Sequence, residues 1–166
     1  MFAPRMEWSG FSPLIAIALF SGFIIKQRNM SFLLPLLALF ISDIIIHILY
    51  LNNAFDFAGL YPGQWKNYLL LLAVTFLGWI FKGRSYLTIG VAAVAAPTLY
   101  FFVSNFLVWR ATTEAVYANS FGGLMTCYEA ALPFYRNSLI ATVLFLPVIL
   151  IAYNYLTKKK AVLILA

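Results

Sequence analysis

The chain has 166 residues, enough for one compact domain; 64% of them are hydrophobic and 10% are charged. At a mean hydropathy of +0.92 it carries more apolar surface than a soluble domain of this size can hide, and it lacks the polar tracts of a disordered one. The 11 Lys+Arg outnumber the 5 Asp+Glu, for a net charge of +6, but the basic residues flank apolar runs, which marks lipid headgroup level and argues against a nucleic-acid partner.

Five apolar runs account for most of the sequence. The first, residues 11–25, ends in Lys26, Gln27 and Arg28. The N-terminal stretch ahead of it has a charge pair close to the run, and no small-residue cleavage site follows, so it does not read as a signal peptide. Ala18 and Gly22 in this run are spaced small-x-x-x-small, a pattern that lets another helix, including one from a partner subunit, approach closely. The second run, residues 32–51, is long enough to cross the roughly 30 Å hydrocarbon layer at about 1.5 Å per residue. It contains Asp43 and His47, four apart, hence on one helix face. A carboxylate inside a membrane helix must turn toward a partner or a wet cavity, so this pair is a candidate for contacting a substrate or handling protons, or else a structural hydrogen-bonded pair.

A polar and aromatic loop precedes the third run, residues 68–81, which stops at Lys82, Gly83 and Arg84. The fourth run, residues 86–109, is interrupted by Pro97, where a kink or locally opened helix is expected. Ser104, Asn105, Trp109 and Arg110 cluster at its end, suited either to bonding across helices or to lining a pocket mouth. Residues 110–136 are too polar to span. They suggest a short interfacial or re-entrant helix over 121–134, entered by a turn at Gly122 and Gly123 and ended by Pro133. Glu129 and Arg136 flank that proline, close enough to pair if the chain turns there. The fifth run, residues 139–156, leads into Lys158, Lys159 and Lys160.

If each run crosses once, the three basic clusters fall on one side, which the positive-inside rule makes cytoplasmic. The N-terminus and the loops 52–66 and 110–136 then lie outside, with Trp8, Trp65 and Trp109 on that face. The expectation is an all-α polytopic bundle in one transmembrane domain, residues 1–166, with about five spans plus the short helix, in a bacterial cytoplasmic membrane.

The chemistry on offer is sparse. One histidine in the chain argues against a zinc or haem site, and no cofactor is expected. The single cysteine, Cys127, rules out an internal disulfide and reads as a packing residue. There is no P-loop, dinucleotide fingerprint, nucleophile elbow or metalloprotease motif, so an enzyme, and an ATPase in particular, is not expected.

Several strings resemble an uncharacterised bacterial integral-membrane family. They are Phe11-Ser12-Pro13 with Ala16, Ala18, Leu19 and Phe20; Leu34-Pro35-Leu36 followed by Ser42-Asp43; Ser104-Asn105-Phe106 with Val108-Trp109; and Cys127-Tyr128 with Pro133-Phe134 and Arg136-Asn137-Ser138. The resemblance covers roughly residues 11–150. In layout that family is similar to the substrate-binding (S) components of energy-coupling-factor vitamin transporters. Members of the family usually begin with one more apolar helix, whereas about ten residues precede the Phe11 string here; in S components it is the first helix, with its small residues, that docks the coupling subunit. The resemblance implies a small-molecule-binding membrane protein taking up a nutrient from outside, with Asp43, His47, Asn105, Trp109, Glu129 and Arg136 lining or gating the outer half. The alternative is a small structural or accessory subunit of a larger membrane assembly.

Overall fold

The computed structural model describes residues 9–82 and 85–157. Over these residues the chain forms five helices and no strand: α1 (Leu14–Ile24), α2 (Arg28–Leu51), α3 (Trp65–Phe81), α4 (Tyr86–Ala111) and α5 (Phe121–Leu156). The all-α reading holds, and each apolar run supplies one helix. Trp8, Arg84, Lys158, Lys159 and Lys160 lie outside the described residues.

Local chemistry sets the helix ends. Ser85 opens α4 with a reciprocal box: its hydroxyl accepts from the Thr88 N–H at 3.2 Å, and the Thr88 hydroxyl accepts from the Ser85 N–H at 3.0 Å. Ser120 caps α5 by accepting from the Gly123 N–H at 3.2 Å. Helix α3 stops at Lys82, which takes a left-handed conformation with φ 52°.

The expected break at Pro133 is absent. Residues assigned to a re-entrant helix and to the fifth span form one 36-residue helix with Pro133 and Pro147 inside it. A proline removes one backbone donor, which a membrane helix tolerates when neighbouring helices hold it. Here α4 holds α5 on both sides of the proline. Tyr128 donates to the Phe102 carbonyl at 3.0 Å, and the Tyr135 and Thr98 hydroxyls are 2.8 Å apart. Glu129 and Arg136 consequently stand two turns apart on one continuous helix, both exposed.

Three of the helices, α2, α4 and α5, are long and apolar enough to cross a membrane, whereas α1 and α3 are shorter. With 11 residues, α1 rises only about 17 Å. It nevertheless occupies the centre, touching all four other helices, and Ala16, Ala18 and Leu19 are fully buried. Large apolar side chains cover the outside, among them Leu37, Ile41 and Ile45 on α2 and Val143, Leu144 and Val148 on α5. That surface is compatible with lipid contact, while every buried side-chain polar atom among the described residues has a partner.

The Ala18 and Gly22 pair does not serve an outside partner. Both residues are buried within the chain, against α3. A Cβ on Gly22 would overlap the Thr75 carbonyl oxygen and come within 2.7 Å of the Trp79 nitrogen. Across the same contact a Cβ on Gly78 would come within 2.8 Å of the Leu19 oxygen. Small residues bring two backbones together here as anticipated, but the second backbone belongs to this chain. The turn between α1 and α2 is closed by a reciprocal pair: the Ser21 hydroxyl donates to the Ser31 carbonyl at 2.5 Å, and the Ser31 hydroxyl to the Ser21 carbonyl at 2.9 Å.

Two chemically distinct ends result. At one, the Arg28 guanidinium and the Lys82 ammonium both lie 5.8 Å from the Trp79 ring centroid. The other end carries the connections 52–64 and 112–120.

Candidate functional site

In the half of the bundle away from Arg28 and Lys82 the five helices line a partly open cavity of about 280 Å³, at the small end of the range for small-molecule sites. Each helix contributes: Leu14 and Ile15 from α1, Leu39 from α2, Asn67 and Leu71 from α3. Most of the wall comes from two facing stripes. On α4 these are Pro97, Tyr100, Phe101, Ser104 and Asn105; on α5, Ala131, Phe134, Tyr135 and Ser138. Both follow the three-and-four spacing that keeps side chains on one helix face. The stripes interlock at Phe101 and Tyr135, whose ring centroids are 4.8 Å apart.

The N-terminal approach to α1 completes the wall with Gly10 and Ser12. The Ser9 carbonyl accepts from the Asn137 amide at 2.9 Å. Gly10, at φ 84°, passes so close to α5 that a Cβ would sit 2.9 Å from the Phe134 oxygen. A side chain at position 10 is therefore excluded by both conformation and space.

Asp43 and His47 do share a face of α2, but each binds a different neighbour. Asp43 is 8% exposed and accepts from the Tyr68 hydroxyl at 2.8 Å; the Gln64 side chain also bonds to it. Gln64 in turn donates to the Gly59 carbonyl at 2.9 Å. His47 Nδ1 faces the Leu60 N–H at 3.5 Å. The loop can lie this close because residue 59 is glycine: a Cβ there would overlap the Asp43 carbonyl oxygen. The pair thus fastens the connection 52–64 onto α2 and the start of α3. Neither residue belongs to the cavity wall.

The loop reaches the wall by another route. Asn67 donates to the Tyr61 hydroxyl at 2.6 Å and accepts from the Tyr100 hydroxyl at 3.5 Å, so one amide joins the loop to the cavity lining.

Of the other residues expected at a site, Asn105 lines the cavity, with its amide nitrogen donating to the Phe101 carbonyl at 2.8 Å. Trp109 closes the α4–α5 connection, its indole N–H donating to the Ala118 carbonyl at 3.0 Å. Arg110 stacks on that indole, 5.8 Å from its centroid. Glu129 and Arg136 are outside the wall. Cys127 is buried with its thiol 3.6 Å from the Asn105 carbonyl, a packing position.

Tyr100, Phe101, Tyr135, Asn67 and Ser138 escaped the sequence reading. A signal for them exists. Positions 97, 100, 101, 104 and 105, and again 131, 134, 135 and 138, repeat at helical spacing. Dividing the chain at Pro133 split the second stripe.

The sequence leads to an uncharacterised family, and the comparison agrees at that level: the family described as a family of unknown function (DUF6580) matches residues 1–163. No curated protein matches the chain, and no solved structure does. The chain belongs to the DUF6580 family.

Proposed function

We propose that this member of the family is an integral membrane protein that binds a small molecule in the cavity among its five helices, in the manner of the substrate-binding component of a nutrient uptake system. The observation that carries this reading is the wall itself. All five helices converge on one partly open space, and its lining combines aromatic faces with amides and hydroxyls, the composition of a ligand site rather than of a packing defect. Ordinary apolar packing would fill such a space.

Orientation supports the same reading. The basic end at Arg28 and Lys82 belongs in the cytoplasm by the positive-inside rule, which turns the cavity half and the 52–64 loop outward. In a bacterium the membrane is then the cytoplasmic one. In this scheme Asn105, Tyr100 and Tyr135 contact the ligand, while Asp43 and His47 hold the loop beside it. Trp109 fixes the α4–α5 connection, and Glu129 and Arg136 form a charged outer flank. With no nucleotide-binding motif in the chain, energy for transport comes from partner subunits, or uptake is passive.

Native mass spectrometry of the protein extracted in lipid nanodiscs tests this. A small molecule should travel with the wild-type chain and be lost from Tyr100→Ala and Asn105→Leu. If wild type carries no small molecule, or the variants keep it, the proposal fails.

A second reading, an accessory subunit of a larger assembly, has one observation in its favour. An apolar groove runs between α3 and α4, lined by Leu77, Phe81, Leu87, Gly90 and Val91, and the space beside Gly90 is open. A stoichiometric partner chain in the same spectra, with no small molecule, would favour it.

A further inference from the structure

We infer that the cavity takes an uncharged molecule of one or two fused rings carrying a hydrogen-bond donor on its edge, such as a heteroaromatic lactam or amide. This rests on the small-molecule reading above and narrows it. Three features of the wall lead there.

The first is the pair of aromatic stripes. Tyr100 and Phe101 on α4 and Phe134 and Tyr135 on α5 all line the cavity, with Phe101 and Tyr135 packed on each other, so the wall offers aromatic faces and edges against which a flat ring can pack. A volume of about 280 Å³, at the small end of the range for ligand sites, suits one or two rings.

The second is charge. Among the described residues the wall contains no Asp, Glu, Lys, Arg or His. An ionised ligand of either sign would leave water and find no opposite charge, a strongly unfavourable transfer. The carboxylate buried in this half of the bundle, Asp43, is engaged by Tyr68 and Gln64 and is not part of the wall.

The third is the polarity of the lining groups. The Asn105 amide nitrogen already donates to the Phe101 carbonyl and lies 3.5 Å from the Ser104 hydroxyl. Its oxygen is the atom left to serve a ligand, and a carbonyl oxygen calls for a donor. Ser12, just ahead of α1, and Ser138 on α5 also bring hydroxyls to the wall, and a hydroxyl serves either as donor or as acceptor.

Three probes on one bicyclic frame separate the possibilities: quinolinone (a neutral lactam with an N–H), quinoline carboxylate (an anion) and methylquinolinium (a cation). Each is measured by equilibrium dialysis against the protein in nanodiscs, with empty nanodiscs subtracted. Quinolinone should bind about ten-fold or more tighter than either ion. Asn105→Leu should abolish that preference, and Trp79→Phe at the basic end should leave it intact. If an ion binds as tightly as quinolinone and Asn105→Leu weakens it, the charge assignment is wrong while the small-molecule site stands. Binding that Asn105→Leu does not alter, or binding of none of the three, overturns the ligand class. The broader reading fails separately, when the purified wild type carries no small molecule at all.

Discussion

Asp43 shows how much a single residue reveals before its surroundings are known. Its place in an apolar run demands a partner, because an unpaired carboxylate in hydrocarbon is expensive. The i, i+4 spacing nominated His47, yet the partners are Tyr68 and Gln64, 25 and 21 positions away in sequence. The need for a partner was legible and its identity was not, since side-chain spacing along one helix says nothing about which helix lies opposite. Tyr68→Phe removes the 2.8 Å bond while keeping the ring. It should destabilise the protein by about 1–2 kcal/mol, the scale of hydrogen bonds between membrane helices, read as a lower thermal midpoint in detergent. Asp43→Asn should cost less, because an amide oxygen still accepts from the tyrosine. A Tyr68→Phe variant as stable as wild type would show that this bond contributes nothing net.

Elements differ in how closely their neighbours approach, and glycine marks the difference. Gly22 and Gly78 form the α1–α3 crossing, where any Cβ meets backbone. Gly90 on α4 has nothing within 4 Å of a built Cβ. Gly22→Val should therefore force α1 and α3 apart, at about 1–3 kcal/mol or more for overpacking against atoms that cannot move aside. Gly90→Val should change the thermal midpoint little and serves as the control. Equal effects of the two would contradict the close crossing. At this scale the run boundaries were readable, because apolar length and basic termination follow from the solvent. The continuity of α5 was not. A proline before a polar-to-apolar change in sequence reads as a helix end, and only the Tyr128 and Tyr135 bonds to α4 on its two sides show why the helix runs on.

The whole molecule is organised by its two ends, and the orientation of those ends in the membrane is open to direct measurement. In a Cys127→Ser background, Ala54→Cys and Thr113→Cys lie on the exposed connections at the loop end, and Gln27→Cys is exposed at the basic end. A membrane-impermeant maleimide added to intact cells should label the first two and spare the third until the cells are opened. The reverse pattern would invert the topology and turn the cavity half toward the cytoplasm.

Hydropathy and charge placement in the sequence determined by themselves that this chain is helical, apolar on its outside and basic at one end, because those properties depend on each run's own contact with solvent or lipid. The tertiary structure alone decided that the shortest helix sits at the centre, that Ala18 and Gly22 face inward, and that Tyr100, Phe101, Asn105 and Tyr135 share a cavity. These are relations between residues far apart in the chain, and they are fixed by which helix faces close on one another, a quantity that no run carries by itself.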